Sequence, residues 1–350
     1  MSAMLARRAM LRRSAARALS SKTVAMPVGL TTSTPLLESL PLSAAAGTKV
    51  FLKMETNQPS GSFKDRGMAF MCASLKERGA TSLICSSGGN AGHAVAAMGR
   101  RLGMTVKVIV PTTTKQIMLD KISAQGAEVQ VHGENWNAAD ELAQSLVAAD
   151  PNAEYIPPYE HELLWEGHSS LIDELAFEAD SAAAFGECGA PPGAVVASVG
   201  GGGLLNGIFL GIQRHGWQAA TRVISAETDG ANCFAAAAAN GFAPTRLEAI
   251  RSVATSLGAL QCSPTTMRLA QEVPTDPCTV SDQEALEACA FLLDEHRVLV
   301  EPACGAAVAL MRAERHRHLF SKHESVVVVV CGGSGVNWDI MQQWRRDVGL

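Results

Sequence analysis

The sequence predicts an α/β protein of two lobes, each a mainly parallel twisted sheet flanked by helices. Three observations lead there. Short β-branched or apolar runs alternate with Ala-rich helical stretches, which implies right-handed βαβ crossovers. The alternation pauses around Pro157-Pro158 and restarts at Val195. With 350 residues, 47% hydrophobic and 18% charged, the chain is long enough for two cores and too apolar for disorder.

In chain order, Thr81–Ser86 reads as a strand, Ala91–Leu102 as a helix, Val106–Val110 as a strand and Gln116–Gln125 as a helix. Val129–His132 follows as a strand and Ala138–Ala149 as a helix, with Gly103, Gly126 and Asp150-Pro151 as punctuation. The crossing between lobes falls near Tyr155–Tyr159, where Pro157-Pro158 stiffens an extended connector. In the second series Val195–Val199, Val223–Ala226 and Val326–Val330 read as strands, and Leu204–Ile212 as a helix. Ahead of both lobes lies a basic tail over 1–24.

Charge excludes one class of function. Arg7, Arg8, Arg12, Arg13, Arg17 and Lys22 precede the first acid, Glu38, so the net charge of −5 divides into +6 on the tail and −11 on the rest. A nucleic-acid binder would carry its positive charge on the folded body. The Arg-, Ala- and Ser-rich tail reads either as a mitochondrial transit peptide or as an untargeted extension, which leaves the compartment as cytoplasm or mitochondrion. No run approaches the ~18 apolar residues of a membrane span. The nine cysteines are odd in number and show no CxxC spacing, as expected of reduced core thiols. His161-Glu162 lacks the second histidine of an HExxH site, the next lying at His168.

Three loops carry chemistry, and in open parallel sheets such loops converge at the carboxyl ends of strands. Val195–Val199 runs into Gly200-Gly201-Gly202-Gly203 and then a helix start, where uncovered N–H groups and the helix dipole make a phosphate cradle. Neither a Walker A lysine nor GxGxxG spacing accompanies it, which argues against a nucleotide-dependent oxidoreductase. Ser86-Ser87-Gly88-Gly89-Asn90-Ala91-Gly92 also leads from strand to helix. It suits a carboxylate, and Ser87 or Asn90 can equally serve as a helix cap. In Ser60-Gly61-Ser62-Phe63-Lys64-Asp65-Arg66 a lysine stands at a helix start. A desolvated lysine supplies the free amine of Schiff-base chemistry, and such a lysine beside a phosphate cradle implies pyridoxal phosphate.

Eight ordered motifs then carry a resemblance: SGSFKDRG around Lys64, SSGGNAG at 86–92, IPPY at 156–159, WEGH at 165–168, SVGGGG at 198–203, AET at 226–228, VEPACGAA at 300–307 and VCGGS at 330–334. Over residues 25–350 the sequence resembles the serine dehydratase and threonine deaminase branch of fold-type II pyridoxal-phosphate enzymes, relatives of the tryptophan synthase β chain. The resemblance implies that Lys64 holds the cofactor as a Schiff base and takes the substrate Cα proton. It implies that Phe63 stacks on the pyridine ring, although core packing explains a phenylalanine there equally well. Asn90 is implied to face the cofactor 3′-oxygen, and Gly200, Gly201, Gly202, Gly203 and Leu204 to cradle the phosphate. Ser87 with the N–H groups of Gly88, Gly89, Asn90 and Ala91 is implied to hold the substrate carboxylate.

Cys331 corresponds to the partner of the pyridine nitrogen; by itself it would read as a core thiol. A neutral thiol stabilises a pyridinium less than an aspartate would, which favours prompt loss of a β-leaving group over transamination. Glu227 resembles the acid of a monovalent-cation site, potassium by analogy, with carbonyls of Gly200, Ala231, Leu257 and Ala259 as co-ligands. It could instead be a solvent-exposed or salt-bridged acid at a strand end.

The lobe of 25–62 and 158–350 is then the large cofactor-binding domain and 63–157 the small one, in a homodimer acting on a small amino acid, with no nucleic acid or membrane as partner. Two departures stand out. Gly88 replaces a frequent alanine, which should loosen the substrate pocket, and Asp65 makes SFKDRG resemble threonine synthases. The implied activity is L-serine and L-threonine ammonia-lyase. The alternatives are a threonine synthase-like or serine racemase-like enzyme, or a catalytically weak paralogue.

Overall fold

The computed structural model describes residues 23–350, so the expected tail over 1–24 lies outside the described residues except for its last two. Among the described residues, ten strands form two sheets. A six-stranded sheet has the order β1-β2-β10-β7-β8-β9, from β1 (Leu36–Glu38), β2 (Lys49–Met54), β7 (Ala194–Ser198), β8 (Arg222–Thr228), β9 (Thr275–Val280) and β10 (Ser325–Val330). The other is β5-β4-β3-β6, from β3 (Ser82–Cys85), β4 (Thr105–Val110), β5 (Glu128–Val131) and β6 (Ala153–Tyr155). All pairs are parallel except β1 with β2. The α/β architecture with mainly parallel sheets therefore holds.

The elements read from sequence recur within one to three residues of their expected ends. Four strands were not read, and each hides for a local reason. β1 and β6 have only three residues, and β2 carries Lys49 and Lys53 inside an otherwise apolar run. β9 contains Asp276 and Pro277, which an edge strand tolerates because it needs no donor on its outer side.

β10 shows why the large sheet is stable. Its SVVVVV run is buried throughout, between β2 on one side and β7 on the other. Each valine contributes ~1.5–3 kcal/mol by leaving water. The exit of this central strand fixes Cys331, and the exit of its neighbour β7 fixes the glycine loop.

Helix Glu162–Phe177 joins the two halves, packing on helix Lys64–Glu77 and on helix Gly203–His215. His168 sits at that crossing. A Cβ on Gly67 would lie 2.6 Å from its ring, and one on Gly207 would lie 2.4 Å from its own Cβ. The WEGH histidine is thus a buried wedge between two glycine-lined helices; burial drives its pKa well down, so its ring is neutral.

Candidate active site

The Lys64 segment is stitched to the end of β10. The Phe63 N–H donates to the Cys331 carbonyl (3.1 Å), the Gly333 N–H donates to the Gly61 carbonyl (3.0 Å), and Ser62 bridges to Gly332. Asp65 folds back on Ser60, accepting from its N–H and its hydroxyl, both at 2.6 Å. Burial raises the Asp65 carboxyl to about 6, and the Ser60 bonds oppose that rise. Lys64 opens its helix with Nζ donating to the Pro158 carbonyl at 2.6 Å, 5.1 Å from the Phe63 ring centre. Removal from water pulls the amine down to about 8.

Phe63, Lys64, Ser87, Gly89, Asn90, Ala91, Gly200, Gly201, Gly202, Gly203, Leu204 and Cys331 all line one cleft between the sheets, a cavity of about 610 Å³. That falls within the ~300–1,000 Å³ usual for cofactor and substrate sites. A second hollow of about 410 Å³, between Arg100 and Gly126, contains none of the candidate binding or catalytic residues.

The helix start after β3 departs from the capping expectation. Gly89, not Ser87 or Asn90, occupies the cap position of helix Asn90–Leu102, and no side chain caps it. The Ser87 hydroxyl instead accepts from the Gly89 N–H at 3.3 Å. Asn90 and Ala91, which open this helix, line the cleft, and its first N–H groups have no side-chain cap, as an anion site requires.

Gly88 is a correction. It is not among the cleft-lining residues, and a Cβ built on it would lie 2.6 Å from Thr114 Cγ2 and 2.7 Å from Thr114 Oγ1. Thr114 fills the space of the missing methyl, so its absence does not loosen the pocket.

The glycine loop tests the fit of a phosphate. A Cβ on Gly201 would meet the Tyr159 ring at 2.5 Å, and one on Gly202, at φ +98°, would meet Thr266 Oγ1 at 2.0 Å. Only glycines let Tyr159 and Thr266 close on the loop while its N–H groups stay uncovered. Ser62 also lines the cleft, and its buried hydroxyl has no hydrogen-bond partner among the described residues. On the remaining wall the Cys331 thiol lies 3.3 Å from the Ser198 hydroxyl; a hydrogen bond with Cys304 draws it below its ordinary value, while burial works the other way. An amine, an anion cradle and a buried polar wall fit an aldehyde-bearing phosphate cofactor.

Comparison with known proteins decides the family. The pyridoxal-phosphate dependent enzyme family matches residues 29–332. This chain belongs to the pyridoxal-phosphate dependent enzymes. It is 42% identical to human "serine dehydratase-like" over 90% of this chain and 94% of that one. It is 41% identical to mouse "L-serine dehydratase/L-threonine deaminase" over 91% and 95%. Among solved structures, a fungal L-serine ammonia-lyase from Rhizomucor miehei superposes with TM-score 0.82 at 34% identity, covering 91% of this chain and 98% of that one. Pyridoxal phosphate is thus the cofactor of this pyridoxal-phosphate dependent enzyme, and a fold-type II architecture accounts for its two sheets.

Glu227 lies outside the cleft lining, at the end of β8. Fully buried, it accepts from the N–H groups of Phe234 (2.9 Å) and Ala235 (2.7 Å) and has no cationic partner among the described residues. Burial pushes its carboxyl up to about 8. Glu227 is therefore neither a solvent-exposed nor a salt-bridged strand-end acid. Leu257 stands against Gly200, and Ala231 packs with Leu257 in one small cluster, while Ala259 lines the cleft.

Sequence reasoning assigned no role to Ser62, Tyr159, Ser198, Glu301 or Ser334, all in or beside the cleft wall. Each lies inside a quoted motif, so the signal was present; what each touches was not. No described helix is long and apolar enough to cross a membrane.

Proposed function

We propose that this enzyme is an L-serine ammonia-lyase that also accepts L-threonine. Serine loses its Cα proton and its hydroxyl as water, and the released 2-aminoacrylate hydrolyses to pyruvate and ammonia. Threonine gives 2-oxobutanoate and ammonia by the same elimination. The observation that carries this reading is one cleft that unites a desolvated lysine, an uncapped helix start and a glycine cradle, in a chain about 40% identical to named serine dehydratases.

Lys64 holds the cofactor covalently through Nζ, and the bound cofactor supplies an electron sink for negative charge at the substrate Cα. Once free, the Lys64 amine accepts the Cα proton, a task suited to a group whose value lies near the working pH. Ser87 and the N–H groups of Gly88, Gly89, Asn90 and Ala91 hold the α-carboxylate. Asn90 faces the 3′-oxygen and Phe63 packs on the ring. Gly200, Gly201, Gly202, Gly203 and Leu204 hold the phosphate. Cys331 with Ser198 meets the ring nitrogen as a weak partner, which favours elimination over transamination.

Glu227 anchors a potassium ion with carbonyls of Gly200, Ala231, Leu257 and Ala259, a role supported by its buried, uncompensated carboxylate. Residues 25–62 and 158–350 form the cofactor domain and 63–157 the small domain of a homodimer. The compartment is the mitochondrion if the acid-free basic tail acts as a transit peptide and the cytoplasm if it is an untargeted extension.

The test is the visible spectrum of the purified protein before and after borohydride, followed by a coupled pyruvate assay with L-serine. A yellow, borohydride-sensitive protein that releases pyruvate establishes the activity. A yellow protein that releases none overturns it in favour of a threonine synthase-like enzyme or an inactive paralogue.

A further inference from the structure

The Asn90 side chain is held at both ends by residues from the far side of the cleft. The Ser334 N–H (2.8 Å) and hydroxyl (3.0 Å) both donate to Asn90 Oδ1, which settles which end of the amide is oxygen. Nδ2 therefore carries two protons, and one goes to Glu301 Oε1 at 3.0 Å. Glu301 is fixed in turn. The Gly335 N–H donates to the same oxygen at 2.7 Å, the Ser256 hydroxyl donates to Oε2, and a Cβ at Gly333 would lie 2.4 Å from its Cδ.

His93 Nδ1 lies 3.0 Å from the Ser334 hydroxyl oxygen, and Gln125 Nε2 lies 3.5 Å from His93 Nε2. The series from Ser334 through Asn90 ends on the Glu301 oxygen that also accepts from Gly335. One Asn90 N–H is left over, and the planar amide gives it no freedom of direction. Both Asn90 and Glu301 line the cleft.

We propose that Glu301 is a positioning residue: by accepting one proton of the Asn90 amide, it aims the other at the cofactor 3′-oxygen. The inference rests on the placement of Asn90 proposed above and adds a reason for the carboxylate at 301. Glu301 and Ser334 flank the six-stranded sheet, whereas Asn90 starts the helix after β3. The aimed N–H therefore exists only when the two sides are together.

The test compares affinities of the apo-protein for pyridoxal phosphate and for 3-deoxypyridoxal phosphate, which lacks the 3′-oxygen, by quenching of tryptophan fluorescence. The native protein should prefer pyridoxal phosphate by roughly tenfold, equivalent to ~1.4 kcal/mol. Asn90→Ala should bring the ratio near one. Glu301→Ala should lower it at least about threefold, as should Glu301→Met, which keeps the wall filled should the alanine variant not fold. Glu301→Gln retains an acceptor and should stay within about twofold of the native ratio. Weakening of both cofactors alike, with the ratio unchanged in Glu301→Ala or Glu301→Met while Asn90→Ala collapses it, would mean a merely structural role and overturn the inference. An unchanged ratio in Asn90→Ala would overturn the placement of Asn90 and this inference with it.

Discussion

At the scale of single residues, Lys64 is an ordinary amine made reactive by where it stands. Burial lowers its value from 10.5 to about 8, so above about pH 8 it is a neutral nucleophile. Capture of pyridoxal phosphate by the apo-protein should accelerate as pH rises through 8 and level off beyond, as followed by growth of the yellow chromophore. An exposed lysine would keep accelerating toward 10.5. Lys64→Ala should lose that chromophore and at least roughly 10³-fold of pyruvate release. Gly88 offers a second check. Because Thr114 occupies the space of its missing methyl, Gly88→Ala should destabilise the protein by ~1–3 kcal/mol through overpacking, and Thr114→Ser in the same chain should recover part of that cost. A double-mutant cycle of urea midpoints measures the coupling. Sequence showed that residue 88 was unusual; only the neighbour at 114 says in which direction.

At the scale of elements, strand ends and helix starts do the binding. β3 and β7 each deliver a loop whose N–H groups face the cleft, and both loops were legible because strand, glycines and helix follow within a few residues. Glu227 ends β8 against the start of helix Cys233–Ala239. Its folded-state value of about 8 exceeds the ordinary 4.5, so the folded chain binds more protons between those values and loses stability as pH rises through that window. A cation paired with the ionised carboxylate offsets the loss. Potassium should therefore raise the melting temperature by roughly 2–4 °C at pH 8.5 and have little effect at pH 5. In Glu227→Gln both the pH trend and the potassium effect should shrink, as thermal unfolding at the two pH values will show.

At the scale of the whole molecule, a buried charge network ties the Lys64 helix to its surroundings. Arg66 makes paired bonds to Glu55 and to Glu174, and Lys53 reaches Glu174 at 2.6 Å. The guanidinium is fully buried, so removing it leaves the buried Glu55 without a cation and Glu174 with Lys53 alone. Arg66→Ala should cost ~3–5 kcal/mol, read as a lower urea midpoint and a weakened hold on the cofactor. This network joins β2, the Lys64 helix and helix Glu162–Phe177, so it couples stability to the placement of the reactive amine.

The chemistry of the cleft walls is written in short stretches of the chain: a lysine after Ser-Gly-Ser-Phe, a Ser-Ser-Gly-Gly-Asn helix start, four consecutive glycines after a strand. Those are local signals, complete within a few residues, and the same locality made most strands and helices readable. Tertiary structure decided how the walls meet. That Phe63 bonds to the Cys331 carbonyl, that Asn90 bonds to Glu301, and that Thr114 fills the space beside Gly88 are contacts between segments far apart in the chain. They depend on two sheets packing through a shared helix, and such packing leaves no mark in the residues on either side of a contact.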